Sequence, residues 1–207
     1  MILSEFLTQI LAIENDPSKG VFSDAQNTAA LRSALARYDT IRPYRSSSLF
    51  DGNGTTLITL TGLTAMNIRK VWWLQDDDAD NIELPFYAYQ QAGTWYLDTK
   101  EIAVPTGTNN IMLVTEIVHS IDDLDAAAST TIPSGDQYLL CQAAAGYAML
   151  SMAVSNIENN NLNRDESRRY TELGTLLLEL FDRQLGAYDS GLQSASWHDG
   201  STVDRAF

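Results

Sequence analysis

Cysteine is almost absent from this chain. Cys141 is the only one, so no intramolecular disulfide can form and a Cys2His2-type zinc site is excluded by count. Histidine is nearly as scarce, with His119 and His198 alone. No run of 18 or more apolar residues occurs, which argues against a membrane span. Phosphate-binding glycine loops are missing too. Asp51-Gly52-Asn53-Gly54 has neither a preceding P-loop strand nor a Gly-Lys-Ser/Thr end, so it reads as a turn. No Gly-x-Ser-x-Gly elbow exists either. Basic residues are outnumbered: 13 Lys and Arg face 27 Asp and Glu, for a formal net charge of −14. Phosphate neutralisation needs a basic surface, so such a chain is a poor general binder of nucleic acid. It can still surround a duplex, because a negative wall repels DNA and lets it slide.

What is present is an ordinary globular composition, 44% hydrophobic and 19% charged over 207 residues. That length fits one domain, or one domain carrying an insertion. A chain of this size buries about 70% of its unfolded surface and needs no disulfide or metal to stay folded. Cys141, inside the apolar run YLLCQAAAGYAML, therefore reads as a small buried side chain. The N-terminal stretch MILSEFLTQILAIEND is interrupted by Glu5 and has no basic region before it. It reads as an amphipathic helix rather than a signal peptide, which predicts synthesis in the cytoplasm.

Periodicity divides the chain into helix, helix, β-rich middle, helix, helix and tail. Ile2, Phe6, Ile10 and Ile13 recur at helical spacing over 2–14, and Asp16-Pro17-Ser18-Lys19-Gly20 stops that helix. A second helix starts near Ser23, with Ser23 as cap and Phe22 as staple residue. Its stripe is Leu31, Ala34, Leu35, Tyr38 and Ile41, and Pro43 ends it. SSSLFDGNGTT then reads as a loop. TTLITL, IRKVWWL, GTWYLD and NIMLVTEIV read as strands of a small, mainly antiparallel β-domain of four to six strands. The helical period returns over 136–157, rich in small residues that permit close backbone approach. A fourth helix covers about 164–188, with Tyr170, Leu173, Leu177, Leu180 and Tyr188 in a stripe widened by Leu176 and Phe181. The expected fold is α+β: a four-helix bundle-like domain (1–45 and 134–189) interrupted by an antiparallel β-insertion (46–133), with an extended C-terminal arm (190–207).

Few residues suggest chemistry. His119 lies near Asp122, Asp123 and Asp125, but no further ligand is spaced to complete a metal or acid–base site. The simpler reading is a strand end followed by a turn whose backbone donors Asp122 or Asp123 satisfies. Asp76, Asp77, Asp78 and Asp80 lack the glycine and the twelfth-position glutamate of a calcium loop. They read as a solvated loop or an acidic patch facing a partner. Trp72-Trp73 and Trp95-Tyr96 are strand pairs, of which one member can join the core while the other reaches the surface. No catalytic residue, metal site or cofactor is expected.

Two segments carry a resemblance. Phe-Ser-Asp, Ala-Leu-Ala-Arg-Tyr and Arg-Pro in 22–43, followed by VTEIVHSIDDLDAAASTTIPSGDQYLLCQAAAGYAM, resemble the head-to-tail adaptor (connector) proteins of tailed bacteriophages. The likeness spans roughly 2–190 and rests on pattern and order. Val114 before Thr115 departs from it, where a tyrosine is usual. The resemblance implies a structural virion protein at the portal vertex that is not an enzyme. It implies a homo-oligomeric ring, commonly dodecameric, docked on the portal protein and presenting a platform for tail or nozzle proteins. Genomic DNA would pass through the channel without sequence-specific binding, and no membrane is involved. Trp197, His198 and Phe207 would belong to a portal-binding arm. Arg32, Arg37, Arg42, Arg168 and Arg169 would form inter-subunit ion pairs. The loop of Asp76, Asp77, Asp78 and Asp80 would face the tail or another partner. A tail-completion or minor tail protein, and a ligand-binding module using the aromatic β-domain, are the other classes.

Overall fold

The computed structural model describes residues 1–74, 81–100, 102–158 and 164–194. The fold is α+β. In chain order the elements are α1 (Leu3–Ile13), α2 (Asp24–Ile41), β1 (Tyr44–Gly52), β2 (Leu57–Leu60), β3 (Asn67–Trp73), β4 (Ile82–Glu83), β5 (Tyr87–Gln91), β6 (Thr94–Asp98), β7 (Gly107–Ile117), α3 (Ser134–Glu158) and α4 (Arg164–Ser194). They form two compact units. One is Met1–Ile41 with Ser120–Phe207, the other Arg42–His119.

In the helical unit α3 is the central element, packed on by α1, α2 and α4. Its sequence explains why. Leu139, Leu140, Cys141, Ala143, Ala144, Ala145, Ala148, Met149 and Ala153 are all buried, a spread too wide for a one-sided helix. Burial pushes the Cys141 thiol up to about 12, so it stays protonated and inert. By length and composition α3 would suit a membrane span. Here its apolar side chains join Phe6 and Ile10 of α1, Leu31 and Tyr38 of α2, and Phe181 and Leu185 of α4 in one core. The α3–α4 crossing depends on two glycines. A Cβ on Gly146 would stand 3.0 Å from the Gly174 carbonyl oxygen, and one on Gly174 would stand 2.8 Å from the Gly146 oxygen.

The turn between α1 and α2 winds around one carboxylate. Asp16 accepts the backbone N–H groups of Gly20, Val21 and Phe22 at 2.9, 2.7 and 2.9 Å. Those bonds, Phe22's first, hold Asp16 below the usual carboxylate range. α2 then opens with a capping box. Ser23 Oγ accepts the Gln26 N–H at 3.3 Å, while Gln26 Oε1 accepts the Ser23 N–H at 2.9 Å. Further along α2, the Tyr38 hydroxyl donates to Asp136 Oδ2 at 2.6 Å, tying it to the first turn of α3.

The β unit holds two antiparallel sheets, ordered β1-β7-β3-β4 and β2-β6-β5. Its core is its own: Ile58, Leu60, Ile68, Val71, Leu84, Leu97, Val104, Ile111 and Leu113 are buried together. Trp73 and Trp95 pack against that core. Trp72 lies outside that core cluster, with the Lys70 ammonium 5.4 Å from its ring, and all four rings of the aromatic pairs are half-buried. Glu116 on β7 is buried and bonded to Arg69 at 2.7 Å, with Arg45 of β1 at 3.9 Å. Two guanidiniums thus serve one carboxylate across three strands.

Three expected boundaries are corrected. The β unit ends at His119 rather than 133. Residues 120–133 belong to the helices because Ile121, Leu124 and Ile132 are buried in the helical core. SSSLFDG is strand β1, not a loop, in register with β7 from Tyr44↔Ile117 onward, and among the described residues the strands number seven rather than four to six. α4 runs to Ser194, so 190–194, expected as the start of an extended arm, are helical.

Candidate functional site

The arginines expected to bridge subunits are largely engaged within the chain. Arg32 on α2 donates from Nε and a terminal nitrogen to the two oxygens of Asp125, at 3.1 and 2.5 Å. Arg37, also on α2, grips Asp182 of α4 in the same two-pronged way, at 2.7 and 2.6 Å. These bonds raise both guanidinium pKa values and hold Asp125 below its ordinary range. Arg168 bonds Glu172 one turn along α4 at 2.7 Å. All six partners are around half-exposed or more. Water and salt screen such pairs, which contribute roughly 0–1 kcal/mol each, and their partners exchange readily. Arg169 is exposed on α4, and Arg42 belongs to the β unit rather than the helical one.

The remaining expected site residues divide. Asp76, Asp77, Asp78 and Asp80, and Trp197, His198 and Phe207, lie outside the described residues. His119 is buried, edge-on to the Tyr44 ring with centroids 5.6 Å apart. Among the described residues no cluster of three or more His, Cys, Asp or Glu side chains is arranged to hold a metal ion. The turn after His119 is not closed by the Asp122 or Asp123 carboxylates as expected. Ser120 N–H donates to the Thr131 hydroxyl and Asp122 N–H to the Thr130 hydroxyl, both at 2.9 Å, and Asp123 N–H donates to the Ala127 carbonyl. Asp123, Asp125 and Ala126 all take positive φ, a conformation that Asp tolerates better than most residues. That strained turn is what places Asp125 opposite Arg32.

Two surface features stand out as contact-forming. The first is on the helices. Phe181 and Leu185 carry α4's core contact, while Leu173 and Leu176, one turn apart, are 47% and 51% exposed. Sequence periodicity merged Phe181 with Leu173 and Leu176 into one stripe. The signal it held was a surplus, because α4 has more leucine than one packed face can use. Tyr138 and Val154 of α3 are similarly bare, at 52% and 58%. The second feature is strand β1, the nine-residue outer strand of its sheet. Every other N–H and C=O along it points away from β7, and Ser46, Ser47, Ser48, Leu49 and Phe50 carry no charge to discourage pairing. Leu49 is half-exposed in its middle. Reading SSSLF as a loop hid this edge.

On the second sheet, Tyr87 and Tyr89 of β5 and Tyr96 of β6 form a row. Tyr89 stacks on Tyr96 at 5.3 Å, and Tyr87 lies 5.9 Å from Tyr89. The rings stand against one another, so most of the row's surface is spent internally and only Tyr87, 62% exposed, presents broadly outward. No family model matches this chain, and no curated protein does either.

Proposed function

We propose that this protein is a structural component of a tailed-phage virion. It would be a head-to-tail adaptor that forms a ring beneath the portal, extends the DNA channel and docks tail proteins. The observation that carries the reading is the architecture. A helical unit is interrupted by a β unit with its own core, and a long last helix leads into the C-terminal segment. Surface chemistry supports it. Bare Leu173 and Leu176, exposed and exchangeable arginine pairs and an uncovered strand edge are what repeated copies of one chain need to make contacts. The net charge of −14 suits a channel wall that DNA slides past. In this reading the virion's portal vertex is the protein's place, its partners are its own copies, the portal and a tail or nozzle protein, and it does no catalysis.

Deletion of 195–207 tests the arm, since Trp197 and Phe207 there have no periodic helix to join. The truncated chain is expected to keep its helical circular dichroism and melting temperature. Its attachment to the portal should weaken at least tenfold in a pull-down titration. Unchanged attachment would remove the portal-binding role from Trp197, His198 and Phe207. The tyrosine row on the second sheet favours the other class, a ligand-binding module. A stable monomer whose Tyr87 fluorescence responds to a ligand would support that class.

A further inference from the structure

The corner between α1 and α2 buries two carboxyl groups and treats them oppositely. Asp16 receives three backbone N–H groups and the Ser18 hydroxyl. Glu14, two residues earlier and also buried, receives one donor, the Asn27 side-chain amide, from Nδ2 to Oε2 at 2.9 Å. Asn27 is fully buried. The two oxygens left over, Glu14 Oε1 and Asn27 Oδ1, are buried with no hydrogen-bond partner. Both are acceptors, so an ionised Glu14 leaves two buried oxygens without a donor, a costly arrangement. One proton removes both faults. A carboxylic acid and a carboxamide are complementary in shape. The amide N–H donates to one acid oxygen while the acid O–H donates to the amide oxygen.

We propose that native Glu14 is the neutral acid in mildly acidic solution, paired through both oxygens with the Asn27 carboxamide, and that its ionisation is a pH-responsive release of the α1–α2 corner. The surroundings fit. Around the turn α1 contributes Leu11, α2 contributes Ala30, α3 contributes Ala148, Met149, Met152 and Tyr147, and α4 contributes Tyr170 and Leu177. Two tyrosines, Tyr147 and Tyr170, are among those side chains. Lys19 is paired with Asp24 at the exposed surface. The one charge adding to the effect of burial is Asp16's, and it also disfavours a second anion. Burial first and Asp16 second push Glu14 up to about 7 against the lowering by Asn27's bond. Two neighbouring acids are thereby driven apart, one ionised and one neutral.

Between about 4.5 and about 7 the folded chain holds a proton that the unfolded chain has lost, so this group's contribution to stability falls as pH rises through that window. Glu14→Gln replaces the acid O–H with an amide N–H and fixes the neutral pairing. Relative to wild type, its folding equilibrium constant should rise on the order of 100-fold between pH 5 and pH 8. At pH 5 the two proteins should be nearly equal. Thermal melts of both across pH 5 to 8 make this comparison. Carbon-13 NMR of the wild-type Glu14 carboxyl, assigned by its absence in the variant, reads the proton directly and should titrate near pH 7. A midpoint near the ordinary value of about 4.3, or a Glu14→Gln protein less stable than wild type at every pH, would overturn the proposal. Either result would put an anion there, satisfied by water or a cation.

Discussion

Gly174→Ala is expected to lower the stability of the helical unit by about 2 kcal/mol. Gly186→Ala, on the same helix, should raise it by about 0.5–1 kcal/mol. The opposite signs come from what each new methyl group meets. At Gly174 the added Cβ lies 2.8 Å from the Gly146 carbonyl oxygen and 2.9 Å from Leu150 Cγ. The oxygen is backbone and cannot rotate away, so α3 and α4 must separate. That separation loosens the contacts of Phe181 and Leu185, both fully buried. At Gly186 nothing lies within 4 Å of the added atom. There alanine only removes the unfolded chain's extra freedom and improves helix propensity. Valine at 174 should cost more than alanine, since its two γ-carbons enter the same crossing. Thermal melts followed at 222 nm compare the three variants. Equal and small shifts for both alanine substitutions would mean that α3 and α4 do not cross at these glycines.

Removal of the whole β unit is expected to leave a folded helical protein. Tyr44 and Ile117 face one another at the root of the β1–β7 pair, where opposed Cα atoms stand about 4.5–5.5 Å apart. Two or three glycines can therefore join Pro43 to Val118. Among the described residues, none between 42 and 119 belongs to the helical core around Phe6, Leu31, Tyr38, Leu140 and Phe181. The β unit's core likewise draws no residue from the helices. The excised chain should show strong helical circular dichroism and one cooperative melt. A chain lacking any cooperative transition would show that the insertion is needed for the helices to fold.

The helices were legible because their signals are local. Ser23 as cap, Pro43 after Ile41 and the small residues of 139–153 each act within a few positions, and the structure keeps all three roles. β1 was not legible. Three serines in a row resemble a loop by propensity, and only pairing with β7 makes them a strand, which is a long-range fact. Residues 120–133 misled for the opposite reason. Their polar composition masks Ile121, Leu124 and Ile132, spaced too irregularly for any period yet all reaching the helical core. For the candidate surfaces, sequence picked out the arginines but assigned them to partners on other subunits, whereas Arg32, Arg37 and Arg168 pair within the chain. Asp125 and Asp182 lie 93 and 145 residues away from Arg32 and Arg37, and no spacing rule spans that distance. Glu14 and Asn27 were invisible for the same reason. Each is an ordinary polar residue until α1 and α2 close on each other.

The central claim is that copies of this chain assemble on a portal. Purified protein mixed with the portal protein of the same virion, and imaged by electron microscopy, tests it most directly. The account predicts rings stacked coaxially on one face of the portal, with a continuous central channel. Free monomers beside bare portals, at concentrations well above those in an assembling virion, would contradict it.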